Sequence, residues 1–174
     1  MEKQANAVTF KGKPLALVGK KLKVGDAAPD FACVTPGLEI VGIAKTPAKA
    51  RMFSVVPSLD TPVCNQQTHK FDEGIAALGD KVACYTISLD LPFAQKRFCT
   101  AENIKSMQTL SDVHDQSFGK NWGVLIEGLP LALLARAVFI VDKSGKITHA
   151  EIVREVAEHP NYETALAALK QVAG

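Results

Sequence analysis

Strand-like apolar runs alternate with helix-like stripes along this chain, and that alternation restricts the fold more than any other feature. ARMFSVVP (50–57), KVACYTIS (81–88) and ARAVFIVD (135–142) are apolar at most positions, the pattern of strands covered on both faces. Between the first two, Cys64, Gln67, Phe71, Ile75 and Leu78 recur at three- and four-residue spacing. That spacing predicts a helix stopping at Gly79-Asp80. PFAQKRFCTAE (92–102) predicts a short helix, MQTLSD (107–112) a strand and DQSFGKNWG (115–123) a helical turn. The turn DKSG (142–145) leads into KITHAEIV (146–153), an antiparallel partner for the run before it. NYETALAALKQVA (161–173) closes the chain as a helix with Asn161 at its N-cap.

At the front, VTFKGKPLALVG (8–19) reads as a hairpin interrupted by Gly12 and Pro14, and FACV and EIV as short strands after the loop GDAAPDF. The order is hairpin, then β-α-β-α-β-(α)-β-β-α. It predicts an α/β protein, a central mixed sheet flanked by helices with an N-terminal β-hairpin, and a thioredoxin-like sheet satisfies it. No repeat, low-complexity tract or Pro/Gly/Ser-rich linker divides the 174 residues, so one domain spanning 1–174 is expected.

Charge and cysteine usage narrow the chemistry. A formal charge of +2 does not favour nucleic acid or an anionic membrane as partner, and lysines 11, 13, 20, 21 and 23 read as a solvated hairpin face. MEKQANAVTF lacks the apolar stretch of a signal peptide, and no run approaches the roughly 18 apolar residues of a membrane span. A cytoplasmic location is therefore expected, where thiols stay reduced and the four cysteines are catalytic, redox-sensing or buried rather than a disulfide framework.

Cys64 has the most informative surroundings. With Thr61 at the cap and Pro62 in the first helical position, it falls in the first turn, where free N–H groups and the helix dipole favour an anion. The anion available is a thiolate, which makes Cys64 a candidate nucleophile. Position alone leaves an inert buried cysteine equally open. Pro57 ends the strand and leads into a tight strand-to-helix loop, a place where functional residues gather. The Thr61 hydroxyl, three residues before Cys64, serves as a cap, as a hydrogen-bond partner of the sulfur, or both.

PSLDTPVC, with Pro57, Thr61 and Cys64, resembles the Pro-x-x-x-Thr-x-x-Cys stretch of peroxiredoxins, and its wording is similar to the atypical two-cysteine thiol peroxidases among them. The resemblance extends to DLPFAQKRFC (90–99), LARAVFIVDKSGKI, VTFKGKPLAL and YETALAALK, so it covers essentially the whole chain. GDAAPDF departs from it mildly, with Ala27 or Ala28 where a second proline is frequent.

The resemblance implies a thioredoxin-dependent peroxidase, with Cys64 peroxidatic, Cys99 resolving, and an intramolecular Cys64–Cys99 disulfide. It implies that Arg136 faces the thiolate and the peroxide oxygens, that Thr61 stands beside the sulfur, and that Pro57 walls the pocket. Hydroperoxides are then the substrates and thioredoxin the reductant. A homodimer is expected, and neither cofactor nor metal. From spacing alone Arg136 reads instead as a rim arginine paired with a surface carboxylate. Two cysteines on separate intact helices rarely meet the 4.4–6.8 Å Cα separation of a disulfide, so local unwinding after oxidation is expected. The apolar GLPLALLA (128–135) beside Arg136 suits a bulky substrate.

Cys84, inside KVACYTIS, reads as a core thiol, and Cys33 as a buried or a peripheral, oxidation-sensitive one. Competing chemistries fit less well. No two cysteines have zinc-site spacing, and the four histidines, His69, His114, His149 and His159, are scattered. His69 lies about 140° round the helix from Cys64, which weakens a Cys–His hydrolase. A thioredoxin-type oxidoreductase would need Cys-x-x-Cys, and Cys64 is followed by Asn65, Gln66 and Gln67. A non-enzymatic redox sensor stays open and differs from a peroxidase in stopping after one equivalent of peroxide.

Overall fold

Strand β5 (Ala50–Val55) is buried at every position, which requires cover on both of its faces. In the computed structural model, which describes residues 1–174, it lies centrally in a seven-stranded mixed sheet. That sheet contains β3 (Cys33–Val34), β4 (Ile40–Val41), β5, β6 (Val82–Ser88), β7 (Gln108–Ser111), β9 (Ala137–Val141) and β10 (Ile147–Ile152), in the order β10-β9-β5-β6-β7-β3-β4. Strands β5, β6 and β7 run parallel, while β9 pairs antiparallel with β5 and β10 antiparallel with β9. The closing antiparallel pair is the one expected from KITHAEIV.

On one face lie α1 (Pro62–Ile75) and α4 (Tyr162–Ala173). Phe71, Ile75, Ala165 and Leu169 from these helices pack on Met52, Cys84, Val138 and Ile140 of the sheet. Each large apolar side chain buried there contributes about 1.5–3 kcal/mol. Asn161 caps α4 as expected, its side chain accepting from the Thr164 N–H at 3.1 Å. The stripe through α1 holds to Ile75, after which the chain tightens into a 3-10 segment (Ala76–Lys81). Gly79 there takes φ 54°, a turn that a side chain resists.

The other face is covered by α3 (Ser117–Asn121) and by a three-stranded antiparallel sheet. Strands β1 (Lys3–Phe10) and β2 (Lys13–Val18) form the expected hairpin, which starts earlier than the alternation indicates. The third strand, β8 (Leu125–Glu127), was not expected. Its three residues are too few to show a period, and pairing with β2 on one side and with residues 133–135 on the other orders them. Phe118 and Trp122 stack at 4.7 Å and join Phe31, Phe53 and Phe139 in an aromatic core. Helix α2 (Pro92–Ala101) buries only Pro92 and Gln95. No helix is long and apolar enough to cross a membrane.

Candidate active site

Leaving the sheet after Val55, the chain turns at Pro57 and enters α1 through Ser58–Asp60. Thr61 occupies the cap position in extended conformation (φ −109°, ψ 148°) and Pro62 the first helical position. Cys64 therefore sits in the first turn, as the sequence predicts, and is fully buried. The Thr61 hydroxyl caps nothing. It lies 2.7 Å from Cys64 Sγ and 2.9 Å from the Ser58 carbonyl oxygen.

One hydroxyl proton cannot serve both acceptors. When Cys64 is a thiol, its S–H donates to Thr61 Oγ1 and the hydroxyl donates to Ser58. When Cys64 is a thiolate, the hydroxyl must turn to the sulfur. The hydroxyl that would have capped the helix is placed instead to exchange a hydrogen bond with the sulfur.

Arg136 lies immediately before β9 and is 2% exposed, which excludes a rim arginine paired with a surface carboxylate. Its Nη1 is 3.4 Å from Cys64 Sγ and donates to Gln67 Oε1 at 3.0 Å, while its Nε donates to the Val156 carbonyl at 2.9 Å. No carboxylate partners it among these contacts, so the charge it meets must come from the sulfur or from something bound. Gln67 is held in turn through Nε2, which donates to Ser54 Oγ of β5 at 2.7 Å.

Gln67 is the site residue that sequence reasoning missed; it entered only as one position of a helical stripe. A glutamine on a core-facing position, one turn from the cysteine, needs a buried partner, and that was the available signal. The hydroxyl, the guanidinium and the first turn of α1 thus converge on the Cys64 sulfur.

A cavity of about 320 Å³ opens beside this cluster, lined by Pro57, Thr61, Val63, Leu131, Leu133 and Arg136 among others. Pro57 forms part of its wall. Val56, Leu59 and Phe98 pack round Cys64 itself.

The remaining cysteines lie elsewhere, and all four are free thiols. Cys99, on α2, follows the Phe98 that touches the Cys64 cluster, yet opens into a different cavity with Thr109 and Met107. Burial pushes its thiol up, partly offset by a hydrogen bond with Thr109. Cys84 is buried between sheet and helices, its thiol pushed up to about 12 by burial. Cys33 is fully buried, its sulfur 3.7 Å from Asp112 Oδ1, so it is not a peripheral thiol. His69 pairs with Glu102 at 2.9 Å rather than with the sulfur.

A fold of this topology with a buried thiol at the base of its first central helix defines the redoxin class of thiol proteins. The redoxin family model matches residues 23–166. The chain is 52% identical to the thiol peroxidase of Bacillus subtilis over 163 residues, covering 94% of this chain and 96% of that one. It is 49% identical to a thiol peroxidase of Listeria monocytogenes over 164 residues, 94% of this chain and 98% of the relative.

Among solved structures, a peroxiredoxin-like protein from Aquifex aeolicus superposes with TM-score 0.89 at 42% identity, covering 97% of this chain and 99% of that one. The thiol peroxidase of Chromobacterium violaceum shares the fold, with TM-score 0.85 at 17% identity over 98% and 97% of the two chains. The chain belongs to the thiol peroxidases, peroxidase oxidoreductases of the peroxiredoxin group.

Proposed function

We propose that this thiol peroxidase reduces hydrogen peroxide and organic hydroperoxides through Cys64, with Cys99 as resolving thiol and thioredoxin as reductant. The observation that carries the reading is the placement of Cys64 Sγ between Thr61 Oγ1 at 2.7 Å and Arg136 Nη1 at 3.4 Å, with both residues lining one cavity. The thiolate attacks one peroxide oxygen, the O–O bond breaks, and the departing oxygen leaves with a proton as water or alcohol. Cys64 becomes a sulfenic acid. Arg136 and Thr61 donate to the oxygens where charge develops, the kind of preorganised stabilisation that lowers such barriers most.

Cys99 then attacks the oxidised sulfur, a Cys64–Cys99 disulfide forms and water leaves. Because Cys64 is fully buried and Cys99 lines a different cavity from the one beside it, one or both of α1 and α2 unwind locally first. A thioredoxin dithiol supplies two electrons by exchange and restores both thiols. The cycle draws its electrons from thiols and calls on no metal or bound cofactor. The apolar cavity wall, with Pro57, Val63, Leu131 and Leu133, suits the organic end of a hydroperoxide.

The protein acts in this reading as a homodimer in the cytoplasm, in antioxidant defence and redox homeostasis; sedimentation and cell fractionation test the first two. The central test is a thioredoxin-coupled assay on wild type, Cys64→Ser and Cys99→Ser. The expected result is no turnover in the first variant, and in the second a single oxidation event with poor recycling. Sustained turnover without Cys64 would overturn the assignment.

A further inference from the structure

Asp90 occupies the turn between β6 and α2, and its carboxylate is shared among groups that belong to different parts of the catalytic cycle. Oδ1 accepts from Ser58 Oγ at 2.8 Å, and Oδ2 accepts from the Leu59 N–H at 2.8 Å. Both donors belong to the loop that leads into the Cys64 helix. Oδ2 also accepts from Ser88 Oγ at 2.8 Å, and Ser88 Oγ accepts from Gln95 Nε2 at 3.0 Å. Gln95 is fully buried under α2, the helix that carries Cys99.

A continuous polar chain therefore runs from α2 through Gln95, Ser88 and Asp90 to Ser58 and Leu59. It ends next to the reacting sulfur, because the Ser58 carbonyl accepts the Thr61 hydroxyl at 2.9 Å.

Beyond that chain, Gln95 Nε2 also donates to the Leu110 carbonyl of β7 at 3.0 Å, and Phe98 packs on Val56 and Leu59. The buried residues of α2 are Pro92 and Gln95, and Phe93 is 65% exposed. Gln95 Oε1 is buried with no partner, a defect that weakens the seat of the helix. Phe98 apart, apolar contact does little to hold α2 down, and one of the two hydrogen bonds that Gln95 donates leads on to the Cys64 loop. Breaking the chain at either end removes a constraint from the other.

We propose that Asp90 is a positioning residue which couples the seating of α2 to the closed arrangement of the Cys64 loop, so that the two segments release together. Its consequence for the reaction rests on the reading of Cys99 as resolving thiol. A sulfenate at Cys64 has two fates. Attack by Cys99 yields the disulfide and water, whereas a second peroxide yields the sulfinic acid and another molecule of water or alcohol. Asp90 sets the balance between them by governing how often Cys99 is released.

Hydrogen exchange of the reduced full-length protein tests the coupling. Asp90→Ala is expected to raise exchange about tenfold in both 58–66 and 92–101, the effect of losing hydrogen bonds to a charged acceptor, while β9 and α4 stay unchanged. Ser58→Ala, which lies outside α2, is expected to raise exchange in 92–101 as well. If Ser58→Ala loosens only its own loop, or if Asp90→Ala loosens the whole molecule evenly, the coupling is overturned.

Mass spectrometry after a pulse of excess peroxide then reads the chemical consequence. Asp90→Ala is expected to lower the yield of Cys64 sulfinic acid by the factor by which α2 exchange rises. Coupled exchange with an unchanged sulfinic yield would support the link between the segments and count against Cys99 as the resolving thiol.

Discussion

Cys64 and Cys33 are both fully buried, and each has its sulfur near a charged side chain; the two sites differ in the sign of that charge. Beside Cys64 stand the Arg136 guanidinium and a hydroxyl able to donate, at the N-terminal turn of a long helix. Beside Cys33 stands the Asp112 carboxylate, whose oxygens already accept from the Phe118 and Gly119 N–H groups of α3 at 2.9 and 2.8 Å. At the second site a carboxylate has taken the backbone donors and then repels a thiolate. Burial first and Asp112 second drive the Cys33 thiol far upward. Burial is common to both sulfurs, so what distinguishes the two sites is the neighbouring charge and whether the helix amides are already claimed.

The strongest attempt to break the contrast is to delete each sulfur. Cys64→Ser is expected to abolish peroxidase turnover, whereas Cys33→Ala keeps it within about twofold, since its cost is only a small buried cavity. Comparable losses in a coupled assay would put the two thiols on the same footing. Next comes the charge itself. Arg136→Met is expected to lower the second-order rate with peroxide by about 10²–10³-fold, the effect of losing a donor to developing charge. Stopped-flow oxidation of the reduced variant reads it.

A third comparison sharpens the role of sign against that of burial. Asp112→Asn removes the anion beside Cys33 but leaves the sulfur buried. Burial is therefore expected to keep Cys33 a neutral thiol, so that ultraviolet thiolate absorbance at neutral pH is the same in Asp112→Asn as in wild type; a rise would show that the carboxylate outweighs burial.

The smallest effect concerns pH. Burial pushes the Asp112 carboxyl up to about 6, despite the helix amides that oppose it. A folded chain that holds this proton more tightly than the unfolded chain, whose carboxyl titrates near about 4, gains stability as pH falls from 7 to 4. The gain, on the order of 1–3 kcal/mol, is absent above the folded value. Subtracting the thermal unfolding profile of Asp112→Asn from that of wild type isolates this slope. A flat difference would show that Asp112 stays ionised.

Much of the fold was readable because its signals are local. The unbroken apolar runs became β5, β6 and β9, and the stripe from Cys64 to Ile75 became α1. Asn161 and Thr61 show where local rules end. Both are cap residues by type and position, yet Asn161 caps and Thr61 does not. The difference is the presence of a sulfur and a carbonyl within reach of the Thr61 hydroxyl. Strand β8 was illegible because three residues carry no period, and Gln67 because its partners Ser54 and Arg136 come from two different strands and their edges.

The sequence alone therefore determined the order of elements, the helix start that puts a cysteine in its first turn, and, through resemblance, the group of residues to examine. These depend on neighbours within a few positions, where backbone preference and side-chain period are strong enough to speak for themselves. Only the tertiary structure decided which charge each buried sulfur meets. Arg136 reaches Cys64 across 72 positions and Asp112 reaches Cys33 across 79. No local pattern encodes such a meeting, because it is set by how the strands are ordered in the sheet, and in a buried site the Coulomb interaction it creates is too weakly screened to be overruled by local preference.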